Sequence, residues 1–336
     1  DQRAFAPATG TPGDFDGEPL RPYNVLPAAL LLNYRSVLYT FVPDAAAGVA
    51  RVSVEPPLAR TAVDRLVPLA NGPCDDWRGE LKAVAVEAGY RFDGRYPAAC
   101  GEQAWPLADP DPASYNARLV GALWRDLGGS LAGRVRDGAA PAGARTTFEV
   151  RSPALAEVVR DINKFSNNVM AQQLALTLAL QRQSGAPATA EAAREALLRW
   201  VAERLGASGE ELLLENGSGL SRSTRVSAAW LARLLQHAYG SPVMPELASS
   251  LPVSGVDGTL RRARGAVGRA HLKTGSLRDA AARAGWITGE DGRRYALVAL
   301  INHPNAGIAT TRPVFDALAA WVLQRDGRET RDGAGR

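Results

Sequence analysis

One change in hydrophobic period limits what this chain can fold into. Up to the Pro-rich stretch Pro106 to Pro112, apolar residues come mostly in short runs bounded by Pro, Gly and Asp. Ser36 to Val42 and Val49 to Val54 are β-branched and aromatic and read as strands. Tyr90 to Tyr96 alternates in strand fashion, and Trp77 to Ala88 reads as a short helix. Past the stretch the period becomes helical. Tyr115, Leu119, Leu123 and Trp124 share one helix face, ended by Gly128-Gly129. Ser152-Pro153 is a helix start, followed by the stripe Leu155, Val158, Val159, Ile162. A second helix follows Phe165 to Asn168 and carries Met170, Leu174 and Leu178. A third runs from Thr189 to Leu205, and a fourth from Ser227 to Gly240. Then strands return: His271 to Thr274, Arg283 to Thr288 and Arg294 to Asn302, with Glu290-Asp291-Gly292 as a hairpin turn. Gly307 to Gln324 closes the chain as a helix. Helices followed by an antiparallel hairpin and a terminal helix predict an α+β fold. The domain boundary is placed at 108/109, with a β-rich region over 1–108, a second domain over 109–330, and a disordered tail over 331–336.

Composition removes other classes. The 336 residues are 46% apolar and 22% charged, which is globular usage. The net charge of +4 is too small to argue for a nucleic-acid partner. No run approaches the roughly 20 apolar residues of a membrane span, and Val25 to Leu32 is short and contains Pro27. The three histidines, His237, His271 and His303, are scattered, so no metal site is expected. Cys74 and Cys100 are either a disulfide or two buried thiols. Their Gly/Pro-containing surroundings favour the disulfide, and that would place the protein outside the cytosol.

Lysine usage is skewed. Of 39 basic residues only Lys82, Lys164 and Lys273 are lysine. An ammonium is a compact charge that loses its proton when desolvated, which a guanidinium does not. Lys273-Thr274-Gly275-Ser276 ends a predicted strand. Its ammonium and hydroxyl suit an anionic substrate terminus, Gly275 allows close backbone approach, and the Ser276 N–H can serve as an oxyanion donor. The bland alternative is a strand-end turn. Ser166-Asn167-Asn168 sits in a break between two apolar-periodic helices, two residues after Lys164. Capping is its ordinary reading. The similar triplet Ser114-Tyr115-Asn116 is most simply a helix start. Asn216-Gly217-Ser218-Gly219 lacks nucleophile-elbow spacing. Arg261, Arg262, Arg264 and Arg269 form a basic run whose usual reading is a solvated face.

Taken together, Ser166-x-Asn168 and Lys273-Thr274-Gly275 are two of the three motifs of serine penicillin-binding proteins and β-lactamases. Arg21 to Pro27 and Tyr96 to Gly101 resemble segments of one family, the D-alanyl-D-alanine carboxypeptidase/endopeptidases or type-4 penicillin-binding proteins. So do Asp161 to Asn168, Asn216 to Arg222, Gly255 to Leu260 and His271 to Leu277, in the family's order. The resemblance implies a penicillin-recognising serine transpeptidase-like α+β domain, incomplete here, interrupted by inserted β-rich structure. It implies that a serine is acylated by a D-Ala-D-Ala peptide of peptidoglycan, or by a β-lactam, and that the acyl-enzyme is hydrolysed. Ser166 would relay a proton to the leaving amine, and Asn168 would bind the substrate amide. Lys273 and Thr274 would hold the terminal carboxylate, beside Gly275, and the Ser276 N–H would share the oxyanion hole. No cofactor is implied, and the family is periplasmic or extracellular.

One departure is large. The family's nucleophile lies in Ser-x-x-Lys, and the residues three before the lysines are Gly79, Asp161 and Ala270. Together with the start at Asp1-Gln2-Arg3, this leads to the expectation that an N-terminal portion carrying the motif is absent. The alternative is a non-catalytic peptidoglycan-binding or scaffold protein.

Overall fold

The computed structural model describes residues 1–182, 185–206 and 211–324; the tail expected at 331–336 lies outside them. The described chain divides into two units. The first comprises Asp1–Arg145 with Gly185–Thr189, and the second takes the described residues of the rest.

In the first unit, β1 (Ser36–Asp44), β2 (Val49–Glu55), β3 (Ala62–Val63) and β4 (Leu66–Ala70) precede a short helix, α1 (Trp77–Leu81). Strands β5 (Ala83–Val86), β6 (Gly89–Phe92), β7 (Tyr96–Pro97) and β8 (Gln103–Ala108) follow, then α2 (Tyr115–Asp126). Five strands form a sheet in the order β7-β4-β2-β1-β8, and β3-β6-β5 form a smaller one. Alternation along β1 buries Val37, Tyr39 and Phe41 on one face. Tyr90 and Phe92 of β6 meet them edge-on, and Tyr96 stacks on Phe41 with ring centroids 5.4 Å apart. Such ring pairs add roughly 0.5–1.5 kcal/mol each beyond the area they bury. Tyr115 and Leu119 of α2 enter the same core, so α2 groups with the β-rich unit. Leu123 and Trp124, expected on its buried face, are exposed, and Arg118 faces inward instead, in a buried ion pair with Asp109. Cys74 and Cys100 are disulfide-bonded with a Cα–Cα distance of 4.8 Å.

Three local expectations give way here. The helix at Trp77 stops at Leu81 because Lys82 takes φ +32°, and Ala83–Val86 pairs antiparallel with β6 instead. The run from Tyr90 to Tyr96 is two strands. Gly94, at φ +142°, lies so close to the Glu80 carbonyl that a Cβ would stand 2.1 Å from it. Pro106 is not linker but lies in β8, opposite Leu38. An edge strand tolerates a residue with no N–H.

The second unit begins with α3 (Leu155–Phe165), α4 (Asn168–Arg182) and α5 (Ala190–Leu205). The short pair β9 (Leu212–Leu213) and β10 (Arg225–Val226) precedes α6 (Ala228–Tyr239) and α7 (Met244–Ser250). Next come β11 (Ala270–Ser276), β12 (Ala280–Thr288), β13 (Arg294–Asn302) and α8 (Ile308–Leu323). The last three strands form an antiparallel sheet in chain order, which leaves β11 as an edge. Leu272, Ile287 and Leu297 pack beneath Ala319 and Val322 of α8. α3 starts at Leu155, two residues after Pro153, with no side-chain cap. On α4 the buried row is Val169, Leu176 and Ala179, while Leu178 is exposed. That helix is apolar on most sides, so its period alone does not choose the buried face.

Candidate active site

Three segments of the second unit converge: the elbow between α3 and α4, the edge strand β11, and the loop leading to β11. At the elbow, Ser166 adopts φ +55°, ψ +47°, a left-handed conformation that a non-glycine residue holds at a cost of about 1–3 kcal/mol. Capping falls to its neighbour: the Asn167 side chain accepts from the Met170 N–H at 3.0 Å. Ser166 and Asn168 are thereby left for other partners. Asn168 donates through Nδ2 to the Ser218 carbonyl at 3.0 Å. The Ser218 N–H and hydroxyl both donate to Asn216 Oδ1, at 3.0 and 2.9 Å, so the Gly-rich turn is held closed.

Opposite the elbow, Lys273 Nζ donates to Ser166 Oγ at 2.7 Å and to the Thr274 carbonyl at 2.9 Å. Burial, and then the nearby Arg283 guanidinium, pull the Lys273 pKa down to about 8. At neutral pH the ammonium therefore remains mostly charged but gives up its proton far more readily than a solvated lysine. The backbone of β11 is also placed for use. Leu277 N–H donates across the strand pair to Ala280 O, whereas Leu272 N–H turns outward to Pro252 O. Alternation puts the Ser276 N–H on the outward side, along the free edge of the sheet.

The loop before β11 ties the two sides together. Lys164, two residues before Ser166, donates to the Leu251 carbonyl at 2.6 Å and to Asp257 Oδ2 at 2.7 Å. Burial works to raise the Asp257 pKa, but the Lys164 contact and the Val253 N–H hold it below the usual carboxylate value. Two residues on, the Thr259 and Thr274 hydroxyls are 2.8 Å apart. The elbow, the Gly-rich turn and β11 line a cavity of about 740 Å³, among its residues Ser166, Asn168, Ser218, Lys273, Thr274 and Ser276.

All six site residues read from the sequence in this unit, Ser166, Asn168, Lys273, Thr274, Gly275 and Ser276, line that one cavity. Cys74 and Cys100 belong to the other unit. Sequence reasoning missed the contacts made by Asp257 and Thr259, and it missed Arg222, which lines the cavity and pairs with Asp279 at 3.1 Å. Arg222 ends the Asn216 to Arg222 segment that carries the family resemblance, but that resemblance gave it no role. Among the described residues, no group of His, Cys, Asp and Glu is arranged to hold a metal ion, and no helix is long and apolar enough to cross a membrane.

Comparison with known proteins gives the same placement. The D-Ala-D-Ala carboxypeptidase 3 (S13) family matches residues 1–324. Carboxypeptidase DacB of Mycolicibacterium smegmatis is 35% identical over 187 residues, covering 53% of this chain and 39% of the relative. The D-alanyl-D-alanine carboxypeptidase of Actinomadura sp. R39 is 31% identical over 238 residues, covering 67% of this chain and 43% of the relative. The chain thus spans about two-fifths of the length of these curated relatives. Penicillin binding protein 4 (dacB) of Haemophilus influenzae shares its fold at a TM-score of 0.76 and 21% identity, over 97% of this chain and 74% of that one. The same protein complexed with a β-lactam superposes with a TM-score of 0.65, at 21% identity over 87% of this chain and 71% of that one. A match that runs from the first residue to the end of α8, with an α+β fold in common, places this chain in the D-Ala-D-Ala carboxypeptidase 3 (S13) family.

Proposed function

We propose that these residues form the substrate-holding part of a serine-type D-Ala-D-Ala carboxypeptidase/endopeptidase. It acts on peptidoglycan stem peptides through an acyl-enzyme and is acylated by β-lactams, one of which is bound in a structure of the same fold. The observation that carries this reading is the 2.7 Å contact between Lys273 Nζ and Ser166 Oγ at the wall of a roomy cavity beside a free strand edge. A substrate peptide laid along β11 accepts the outward Ser276 N–H at the carbonyl under attack, where negative charge develops. Lys273 and Thr274 hold its terminal carboxylate, and Asn168 takes the side-chain amide contact. Ser166, polarised by Lys273, passes the proton released by the attacking serine to the departing amine. The reaction runs outside the cytosol, in keeping with the Cys74–Cys100 disulfide.

The attacking serine comes from outside these residues, because no Ser here stands three before a Lys. That same observation supports the second reading, a non-catalytic peptidoglycan-binding or scaffold protein. Labelling with a fluorescent penicillin separates the two. The 336-residue chain takes no covalent label, while a longer form carrying Ser-x-x-Lys is labelled on that serine. A label on a serine of the present chain overturns the assignment of the nucleophile. A longer form that carries the motif and stays unlabelled favours the non-catalytic reading.

A further inference from the structure

The four arginines of the basic run are exposed, as a solvated face requires, but two of them, Arg261 and Arg262, also border a recess. This recess, beside the cavity and smaller at about 180 Å³, is lined by Gly258 to Ala263, Arg283 and Arg312. Four arginines, Arg261, Arg262, Arg283 and Arg312, line it, and no acidic residue does. Arg283 and Arg312 are half-buried. Among the described residues Arg261, Arg262 and Arg312 make no side-chain hydrogen bond or ion pair. Arg283 donates to the Ala282 carbonyl and lies over the Phe315 ring, 4.7 Å from its centroid. An adjoining depression shares Arg261, Arg262 and Arg312, adds Arg264, and has one acid, Asp316, which accepts from the Arg264 N–H. Like charges gathered in a concave wall with one acid nearby repel one another and focus a positive potential. The field of Arg283 reaches the active site, where after burial it helps depress the pKa of Lys273.

The position of the recess identifies its occupant. Arg283 is the cross-strand partner of Thr274, and Thr259 of the recess shares a 2.8 Å hydroxyl contact with Thr274. On the reading given above, Thr274 holds the carboxylate of the leaving residue. A group extending from that residue past its own carboxylate would lie toward the Thr259–Thr274 pair, of which Thr259 lines the recess. We propose that this recess is a leaving-side subsite for a second carboxylate, so that the site prefers substrates whose leaving residue carries an additional acidic group over those ending in a plain terminal residue. Planar guanidinium forks match a carboxylate in two-point contact. The inference rests on the proposed role of Thr274 and Lys273, and its test keeps the two apart.

Binding of labelled acyl dipeptides to the 336-residue chain is measured by fluorescence anisotropy, with D-Ala-D-Glu, D-Ala-D-Gln and D-Ala-D-Ala ends. The D-Glu probe is expected to bind about tenfold more tightly than its neutral isostere D-Gln, as for one well-placed charged contact. Arg312→Gln, and separately the exposed pair Arg261→Gln/Arg262→Gln, should reduce that ratio to about twofold or less. Lys273→Ala should weaken all three probes. Equal binding of D-Glu and D-Gln, with Lys273→Ala still weakening both, overturns the subsite and leaves the carboxylate reading standing. A D-Glu preference that survives both arginine variants also overturns the subsite. Probes that fail to bind, or that bind without regard to Lys273, overturn both.

Discussion

Lys273 carries the conflict between stability and use in this site. Unfolded, its amine titrates near 10.5; folded, burial and Arg283 bring it to about 8. Between these values the unfolded chain holds the extra proton, so stability rises with pH from about 8 to 10.5, and below 8 the penalty is present in full. A shift of this size corresponds to about 3 kcal/mol. The contacts to Ser166 and Thr274 return roughly 1 kcal/mol each. Lys273→Met is therefore expected to stabilise the second unit by about 1 kcal/mol at pH 7, and to be the less stable form at pH 10.5, where wild type no longer carries the penalty. Urea titrations at the two pH values measure this. A Met variant equally destabilised at both would mean that the ammonium is well solvated in the fold. Scarcity pointed to this residue in the sequence: with three lysines in the chain, Lys164 and Lys273 each prove to hold a specific partner across the fold, while Lys82 only ends α1. The effect of Arg283 was not legible, because Arg283 comes near Lys273 only through the β11–β12 register.

At the scale of elements, the elbow and the edge strand are joined by two parallel links. Lys164 and Ser166 stand two residues apart at the end of α3. Asp257 and Thr259 stand two residues apart in the loop. Lys164 meets Asp257, Ser166 meets Lys273, and Thr259 meets Thr274. Between them sits Gly258, at φ +53°, where a Cβ would stand 2.6 Å from the Lys164 carbonyl. Gly258→Ala must move either the loop or the end of α3, and α3 carries Ser166. The expected cost is about 2 kcal/mol, from overpacking and a left-handed backbone together. Amide exchange should speed up at Ser166 to Met170 and at Thr259, with little change at β13. Unchanged exchange at the elbow would mean that the loop yields alone and does not brace Ser166. Much of this level was readable. The elbow, the hairpin β12–β13 and the Ser227 cap of α6 follow from period and cap chemistry. The helix expected to continue past Leu81 was not readable, because a single positive φ at Lys82 converts Ala83–Val86 into a strand and local propensity does not contain that turn. The role of Asp257 was hidden for another reason: its partner lies 93 residues away.

For the whole molecule, each unit has a core of its own, one built on aromatic rings from two sheets and one on a three-stranded sheet under α8. The first lies within residues that carry the disulfide, and the second contains no cysteine. The bond joins the segment after β4 to the segment before β8, next to Trp77 and Tyr96, which pack edge-on at 5.6 Å. Closing a loop with a sequence separation of 26 contributes about 3–4 kcal/mol in the chain-entropy model. That is a large part of the margin of a domain of this size. Reduction should therefore weaken one unit selectively. Hydrogen exchange with and without reductant is expected to show protection falling in β1, β2 and β8, while β11 to β13 and the Lys273–Ser166 contact keep theirs. Peptide probes that bind the second unit should then retain their affinity in reductant, although the chain as a whole melts earlier. If reduction strips protection from β11 to β13 as well, the units fold as one, and the disulfide supports the site itself from the other half of the chain.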